Sequence, residues 1–169
     1  MTVPYIDSTT GELKVQGNTG TPGILCDSAG NVPFVPSKIC YNGITGIQGT
    51  NLTTFTSIGS ISFNPASLFS GNTKIIRSIT FQSICQTSPS TTMEIRLYNL
   101  TTGLAITDSI LSTSSNSPII LTSPVLTIPT DLLNSLCLYH IQIRLTFPST
   151  PSNDDRALCH SANIIVAYV

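Results

Sequence analysis

The stretch LCLYHIQIRLTF, which runs from Leu136 to Phe147, carries the strongest strand signal in the sequence. Every second residue in it is apolar, and the residues between are mostly polar. The apolar set comprises Cys137, Tyr139, Ile141, Ile143, Leu145 and Phe147. Because successive side chains of a strand point to opposite faces, this alternation predicts a long β-strand with one buried face. We expect its apolar residues from Cys137 to Leu145 to form part of the core.

A second alternating stretch, MEIRLYNL, spans residues 93–100 and ends in the turn signal Thr101-Thr102-Gly103. The following segment, 104–112, can pair with it as a hairpin, with glycine where a positive φ is needed. Glu94 and Arg96 share the polar face, which predicts an ion pair on that face or with cross-strand partners.

Strand signals recur from residue 52 to the C-terminus, where the last strand, Cys159–Val169, is apolar on both faces and is predicted to be central. Seven or eight strands at this spacing are typical of an antiparallel β-sandwich, either jelly-roll or immunoglobulin-like. We favour an all-β, jelly-roll-like sandwich over residues 51–169.

The composition is poor in charge. Only 9% of the residues are charged, against a usual share of about 25%. Serine and threonine together make up 46 of the 169 residues, so that hydroxyl groups carry most of the polarity. A surface with few charges is weakly protected against association. Two interpretations are open: an ordinary β domain, or a protein whose surface is largely covered by copies of itself.

Charge and hydropathy argue against two classes of partner, nucleic acids and membranes. The net charge is −1 and the pI about 6.0, which argues against nucleic-acid binding. No apolar run reaches the length of a membrane span. The segment Met1–Ser8 has neither the basic nor the apolar region of a signal peptide, so we expect synthesis in a cytoplasm without export by a cleaved signal.

Residues 1–50 differ in character from the rest and predict an extended, irregular N-terminal arm. Two short extended pieces, Pro4–Ile6 and Leu13–Val15, flank a turn, and glycine and proline punctuate the remainder of the segment. The segment is nevertheless too apolar for a solvated tail. Its apolar residues could bury against the arm's own sandwich or a neighbouring subunit, and we favour the neighbour. The expected assembly contacts are Tyr5, Ile6, Ile24, Leu25, Phe34 and Val35.

Five cysteines are spread without the spacing of a zinc site. Cys85 and Cys137 lie in predicted strands and are expected to behave as small buried hydrophobes. Cys26 and Cys40 lie in the predicted arm, where exposed thiols could cross-link neighbouring subunits. The odd number leaves at least one thiol unpaired within the chain.

The sequence contains no recognisable catalytic motif, and we predict that the protein is not an enzyme and has no cofactor. His140 faces away from the apolar side of its strand, which favours a surface or interface role over a catalytic one. Cys159 and His160 would point to opposite faces and therefore cannot form a dyad. Together with Asp154 and Asp155 they match no familiar set of metal ligands.

The chain resembles virion surface proteins of tailed bacteriophages, namely capsid decoration, cement or fibre subunits. The resemblance lies in the hydroxyl-rich, charge-poor sandwich with the hairpin EIRLYNLTTG (94–103), and in the extended segment PYIDSTTGEL (4–13). It implies a non-enzymatic structural protein that self-associates, with three copies suggested, and is attached to a particle surface.

The partners that the resemblance implies are other copies of the chain and further virion proteins, such as the major capsid protein. Its implied location is the virion, assembled in the host cytoplasm. The alternative is a secreted or surface-appendage adhesin, or a carbohydrate-binding module, on an extracellular surface. Sugar sites would need exposed aromatic side chains beside Asp or Asn, and the sequence has no tryptophan and five tyrosines.

Overall fold

The computed structural model describes residues 3–6, 13–16, 22–26, 37–64, 76–127 and 136–168. The chain divides into two compact units, of which the second comprises Ser37–Tyr168.

The N-terminal unit contains three short strands: β1 (Val3–Ile6), β2 (Leu13–Gln16) and β3 (Pro22–Cys26). They form one antiparallel sheet in the order β1-β2-β3. The two extended pieces predicted around the first turn are confirmed as β1 and β2.

The second unit contains ten further strands and one short 3₁₀ turn within the described residues. They are β4 (Ser37–Asn42), β5 (Gln48–Thr50), β6 (Thr56–Phe63), β7 (Ile76–Thr87), β8 (Thr92–Asn99), β9 (Leu104–Ala105), the 3₁₀ turn (Thr107–Ser109), β10 (Leu111–Thr113), β11 (Ile119–Thr122), β12 (Cys137–Phe147) and β13 (Ala157–Tyr168).

These strands form two antiparallel sheets, ordered β10-β8-β12-β6 and β11-β7-β13-β4. β5 pairs with β13 beside β4, and β9 pairs with β8 beside β10. β4 and β5 together act as one interrupted strand, and so do β9 and β10. Counted this way, the sandwich has eight strands in chain order within the described residues. One sheet then joins the first, eighth, third and sixth strands, and the other joins the second, seventh, fourth and fifth. This is the jelly-roll arrangement, and it confirms the predicted fold class.

The core lies between the two sheets, where inward residues of β7, β8 and β12 alternate with outward ones. In β13 the alternation is broken at two register shifts. The largest fully buried side chains are Tyr139, Phe63, Phe81, Met93, Ile95, Leu97, Ile141, Ile143, Leu145, Ile164, Val166 and Asn99. The core predicted from Cys137 to Leu145 is confirmed. Phe147 departs from the pattern and is 59% exposed, because the pairing of β12 with β8 shifts register between Leu145 and Phe147.

The sandwich begins earlier in the chain than the predicted boundary between residues 50 and 51. β4 pairs with β13 over Ser37–Asn42, and β5 pairs with it over Gln48–Thr50. Glycine and proline in this region suggested irregular backbone, but the final strand is long enough to hold two short strands on the same edge. The compact unit therefore starts at Ser37.

Limited proteolysis tests this boundary. We expect faster cutting at Lys14, which lies in a sheet of three strands of only four or five residues, than at Lys38, whose backbone is held in the ladder between β4 and the twelve-residue β13. Mass spectrometry of a trypsin time course would locate the first cleavages. Early cleavage at Arg96 or Arg144, inside the sandwich, would contradict the division.

Backbone hydrogen bonds join the two sheets where the loop after β4 meets β6. Ser60 N donates a hydrogen bond to Gly43 O (3.1 Å), and Gly43 N donates to Ala162 O (2.9 Å). Ile44 follows and is buried in the core. Opposite it, Gly59 lies at a bulge in the pairing of β6 with β12. Neither glycine has room for a side chain, so this seam closes one edge of the sandwich.

Two serine hydroxyls continue the ladders where edge strands are interrupted. Ser109 Oγ accepts a hydrogen bond from Leu97 N (2.9 Å) and donates to Ile106 O (2.6 Å). Ser123 Oγ accepts from Phe81 N (2.9 Å). Both serines are buried, where an unsatisfied backbone N–H would be costly. Part of the high hydroxyl content therefore completes the sheets.

Candidate functional site

The outward face of the β10-β8-β12-β6 sheet carries a cluster of two arginines around one aromatic ring. The guanidinium carbons of Arg96 and Arg144 lie 3.6 and 4.3 Å from the centroid of the Phe55 ring. Arg144 donates to one oxygen of Glu94, from Nε at 3.0 Å and Nη2 at 2.8 Å. Arg96 Nε donates to Gln142 Oε1 at 3.0 Å. We call these five residues the arginine cluster.

Strand register assembles the cluster. Arg144 is directly opposite Glu94, and Gln142 is directly opposite Arg96. Phe55 immediately precedes β6, and a hydrogen bond from Leu145 N to Leu52 O holds that approach segment beside the end of β12. The ion pair predicted for this polar face is confirmed as a cross-strand pair.

The cluster has more positive than negative charge, since two guanidinium groups share one carboxylate. Burial lowers the pKa of Arg96, and the nearby charge of Arg144 lowers it further. Arginine side chains nevertheless stay protonated at physiological pH. Guanidinium groups of this kind cannot transfer protons, but they can hold an anionic group or stack on a planar one. The arrangement is therefore suited to recognition and to stabilising the sheet.

A second notable surface lies at the end of the same sheet, around the turn between β8 and β9. Leu100, Leu104 and Leu136 are 47%, 66% and 65% exposed. Leu100 N donates to Leu138 O, and Leu104 pairs with Asn99, so the backbone brings these segments together. We call the three exposed leucines the apolar end.

A groove adjoins the apolar end. It has a volume of about 250 Å³ and includes Leu104, Ile106 and Asp108 in its lining. Exposed leucines beside an open groove favour contact with a partner that offers apolar side chains of its own.

The interior contains a pair of neighbouring thiols, which lie on the other sheet. Cys85 and Cys159 are opposite each other in β7 and β13, and neither is exposed to solvent. A hydrogen bond from the Cys159 thiol lowers the pKa of Cys85. The same bond raises the pKa of Cys159, as does burial.

The two histidines lie on different sheets, and His140 is two residues from Gln142 on the outward face of β12, opposite Tyr98. His140 is half-buried between the fully buried Tyr139 and Ile141, as expected for a residue on the outward face of β12. The ring atom Nε2 of His160 is buried and has no hydrogen-bond partner among the described residues. No group of three or more His, Cys, Asp or Glu in the described part of the chain is placed to hold a metal ion. Within the same residues, no helix is long and apolar enough to cross a membrane.

The structure does not describe the side chains of the residues predicted for assembly. Tyr5 and Ile6 lie in β1, and Ile24 and Leu25 lie in β3, where only the backbone is described. Phe34 and Val35 lie outside the described residues.

The predicted cross-linking residues are placed in part. Cys40 is exposed on β4. Cys26 is the last residue of β3, where only the backbone is described. All of these contacts, and the cross-linking of neighbouring subunits through Cys26 and Cys40, stay predictions.

Sequence reasoning missed both the arginine cluster and the thiol pair. Glu94 and Arg96 were recognisable as neighbours on one face, but the position of Phe55 depends on tertiary contacts. The proximity of Cys85 and Cys159 depends on the pairing of the third strand with the eighth, and no local signal reports it.

No protein-family model and no curated protein matches the sequence. Among solved structures, the chain is similar to the VP2 subviral particle of infectious bursal disease virus, with 10% identity and a TM-score of 0.48 over 98% of this chain and 37% of that chain. The Gx strain of the same virus gives 12% identity and a TM-score of 0.46 over 99% and 41%. Particles of the virus with T=1 symmetry give 10% and 0.44 over 97% and 39%.

The chain thus spans about two fifths of the length of these proteins. At such scores and identities the similarity assigns no function, and the jelly-roll assignment rests on the strand order. The resemblance to tailed bacteriophages stays a prediction.

Proposed function

We propose that this chain is a non-enzymatic structural protein of a virion. It associates with copies of itself and is attached to a particle surface, as a capsid decoration, cement or fibre subunit. Jelly-roll domains serve as viral capsid proteins and as lectins, and fold alone does not separate these uses. The distinction has to come from the surface.

The observation that carries the proposal is the apolar end. Leu100, Leu104 and Leu136 are large apolar side chains exposed to water, and a backbone hydrogen bond from Leu100 N to Leu138 O joins two of the segments that carry them. Burying such a patch against another protein is favourable by about 25 cal/mol for each Å² of apolar area. The surrounding surface offers little charge to oppose close approach of identical copies, since only 9% of the residues are charged.

A carbohydrate-binding role is the second candidate and would use a ring that is open for sugar stacking. Phe55 has two guanidinium groups over its ring, at 3.6 and 4.3 Å. Tyr98 OH donates to Gly103 O at 2.8 Å, which ties that ring to the turn of its own hairpin. These two rings are already engaged within the chain, while the ring of Phe147 is 59% exposed. Because exposed leucines outnumber this one ring, we put protein association first.

The N-terminal segment enters the proposal as an attachment arm. Its apolar residues Tyr5, Ile6, Ile24, Leu25, Phe34 and Val35 would be buried on a neighbouring subunit or on a major capsid protein. Cys26 and the exposed Cys40 could link neighbours after the particle meets an oxidising medium. A trimer is the oligomer that we propose first.

Self-association is tested by light scattering coupled to gel filtration at micromolar concentrations. We expect the natural chain to form a defined oligomer, and Leu104→Ser combined with Leu136→Ser to shift it toward monomer. The matched control is Ile120→Ser, because Ile120 is also 66% exposed but lies on β11 in the other sheet. We expect this control to keep the oligomer.

A natural chain that remains monomeric at about 100 µM, a concentration well above the Kd of a specific interface, would overturn the proposal. Loss of the oligomer in the Ile120→Ser control, with the double leucine variant unaffected, would move the interface to the other sheet.

A further inference from the structure

Cys85 and Cys159 occupy directly opposed positions on two adjacent antiparallel strands. The register of β7 and β13 pairs Cys159 with Cys85, and both side chains are fully buried in the core. Their sequence neighbours Gln86 and Leu158 form the next pair along and lie on the outward side. The two sulfur atoms therefore face the same interior space.

The distances between opposed residues suit a covalent link. Directly opposed α-carbons in an antiparallel pair are about 4.5–5.5 Å apart, within the range of about 4.4–6.8 Å spanned by disulfides. Each thiol shifts the pKa of the other, downward for Cys85 and upward for Cys159, as expected for close neighbours. Cys85 Sγ also contacts Ser83 Oγ at 3.4 Å, and Cys159 Sγ contacts Ser161 O at 3.2 Å.

We propose that Cys85 and Cys159 form a covalent cross-linking site, which closes as an interior disulfide when the chain folds in contact with a small-molecule disulfide such as oxidised glutathione. One cysteine thiolate attacks the glutathione disulfide, forms a mixed disulfide and releases one reduced glutathione. The second thiolate then attacks the protein sulfur and releases another. Two protein thiols lose two electrons and two protons, and one glutathione disulfide gains them.

The link would join the third and eighth strands of the jelly roll, whose cysteines are 74 positions apart in the sequence. Closing so long a loop restricts the unfolded chain more than a short cross-link does. Because both sulfur atoms are buried, a disulfide closed during folding would be protected from reductants in solution. This proposal concerns the fold itself and stands whether or not the chain belongs to a virion.

Trypsin makes the test direct, because the positions of lysine and arginine place each of the five cysteines in a different peptide. Cys85 lies in peptide 78–96 and Cys159 in peptide 157–169. The chain would be refolded from denaturant with a glutathione redox buffer, alkylated in denaturant and mapped by mass spectrometry. We expect these two peptides linked, with a mass about 2 Da below their sum because two hydrogens are lost.

Stability supplies a second readout. We expect the Tm of the oxidised chain to exceed that of the reduced chain by about 5–15 °C. Cys159→Ser should abolish this difference, and Cys40→Ser, at an exposed position of β4, should retain it. Should Cys159→Ser fail to fold, the peptide map of the natural chain decides. Unlinked Cys85 and Cys159 after oxidative refolding, or linkage of either one to another cysteine, would overturn the proposal.

Discussion

Replacing Ile143 with alanine is expected to lower the free energy of unfolding by about 2–5 kcal/mol. Ile143 is fully buried at the centre of β12, and its strand is paired on both sides, with β8 at Ile95 and with β6 at Thr56. Strands held on two sides cannot move inward to fill the space that the lost atoms leave. The cost therefore includes the cavity as well as the lost transfer free energy.

Urea denaturation followed by circular dichroism would measure this loss. The matched control is Ile143→Val, which removes a single methyl group at the same site and should cost about 0.5–1.5 kcal/mol. A loss below about 0.5 kcal/mol for Ile143→Ala, typical of a plain surface change, would mean that this face of β12 is not packed.

The fold was largely predictable because β7, β8 and β12 alternate over most of their length. In β8 and β12 almost every inward residue is apolar, and the pattern alone assigns Ile95, Leu97 and Ile141 to the core. The exceptions lie where pairing changes. Phe147 continues the alternation in sequence but follows a register shift that turns it outward. Periodicity does not report such a shift, since it depends on the neighbouring strand.

The start of the sandwich was harder to predict, because β4 and β5 are short and interrupted. Their stability comes from the ladder with β13, which begins more than 100 residues later in the sequence. Short edge strands show little apolar alternation of their own, so the local sequence pattern does not identify them as strands.

The candidate site shows the same limit. The sequence predicted an ion pair on the face that carries Glu94, but it did not identify Arg144 as the partner. The stacking of Arg96 and Arg144 on Phe55 depends on the path of the chain before β6. The apolar end likewise arises from hydrogen bonds such as that between Leu100 N and Leu138 O. Long-range pairing determines both surfaces, and composition alone shows only that charges are few.

Gly59→Ala is expected to destabilise the sandwich by about 3 kcal/mol, at the upper end of the usual cost of overpacking. A β-carbon at residue 59 would overlap the carbonyl oxygen of Gly43 and would lie 2.5 Å from Ile44 Cγ2. The carbonyl oxygen cannot move freely, because it accepts the hydrogen bond from Ser60 N. Relief of the overlap therefore requires the two sheets to separate at this seam.

Ser62→Ala provides the control for Gly59→Ala, since Ser62 is exposed on the same strand and lies opposite Leu138. It should change the free energy of unfolding by less than about 0.5 kcal/mol. Amide hydrogen exchange adds a local readout: Gly59→Ala should speed exchange at Gly43 and Ser60, whose N–H groups join the strands at the seam. If Gly59→Ala matched the Ser62 control in both measurements, the close approach of the sheets at these glycines would be refuted.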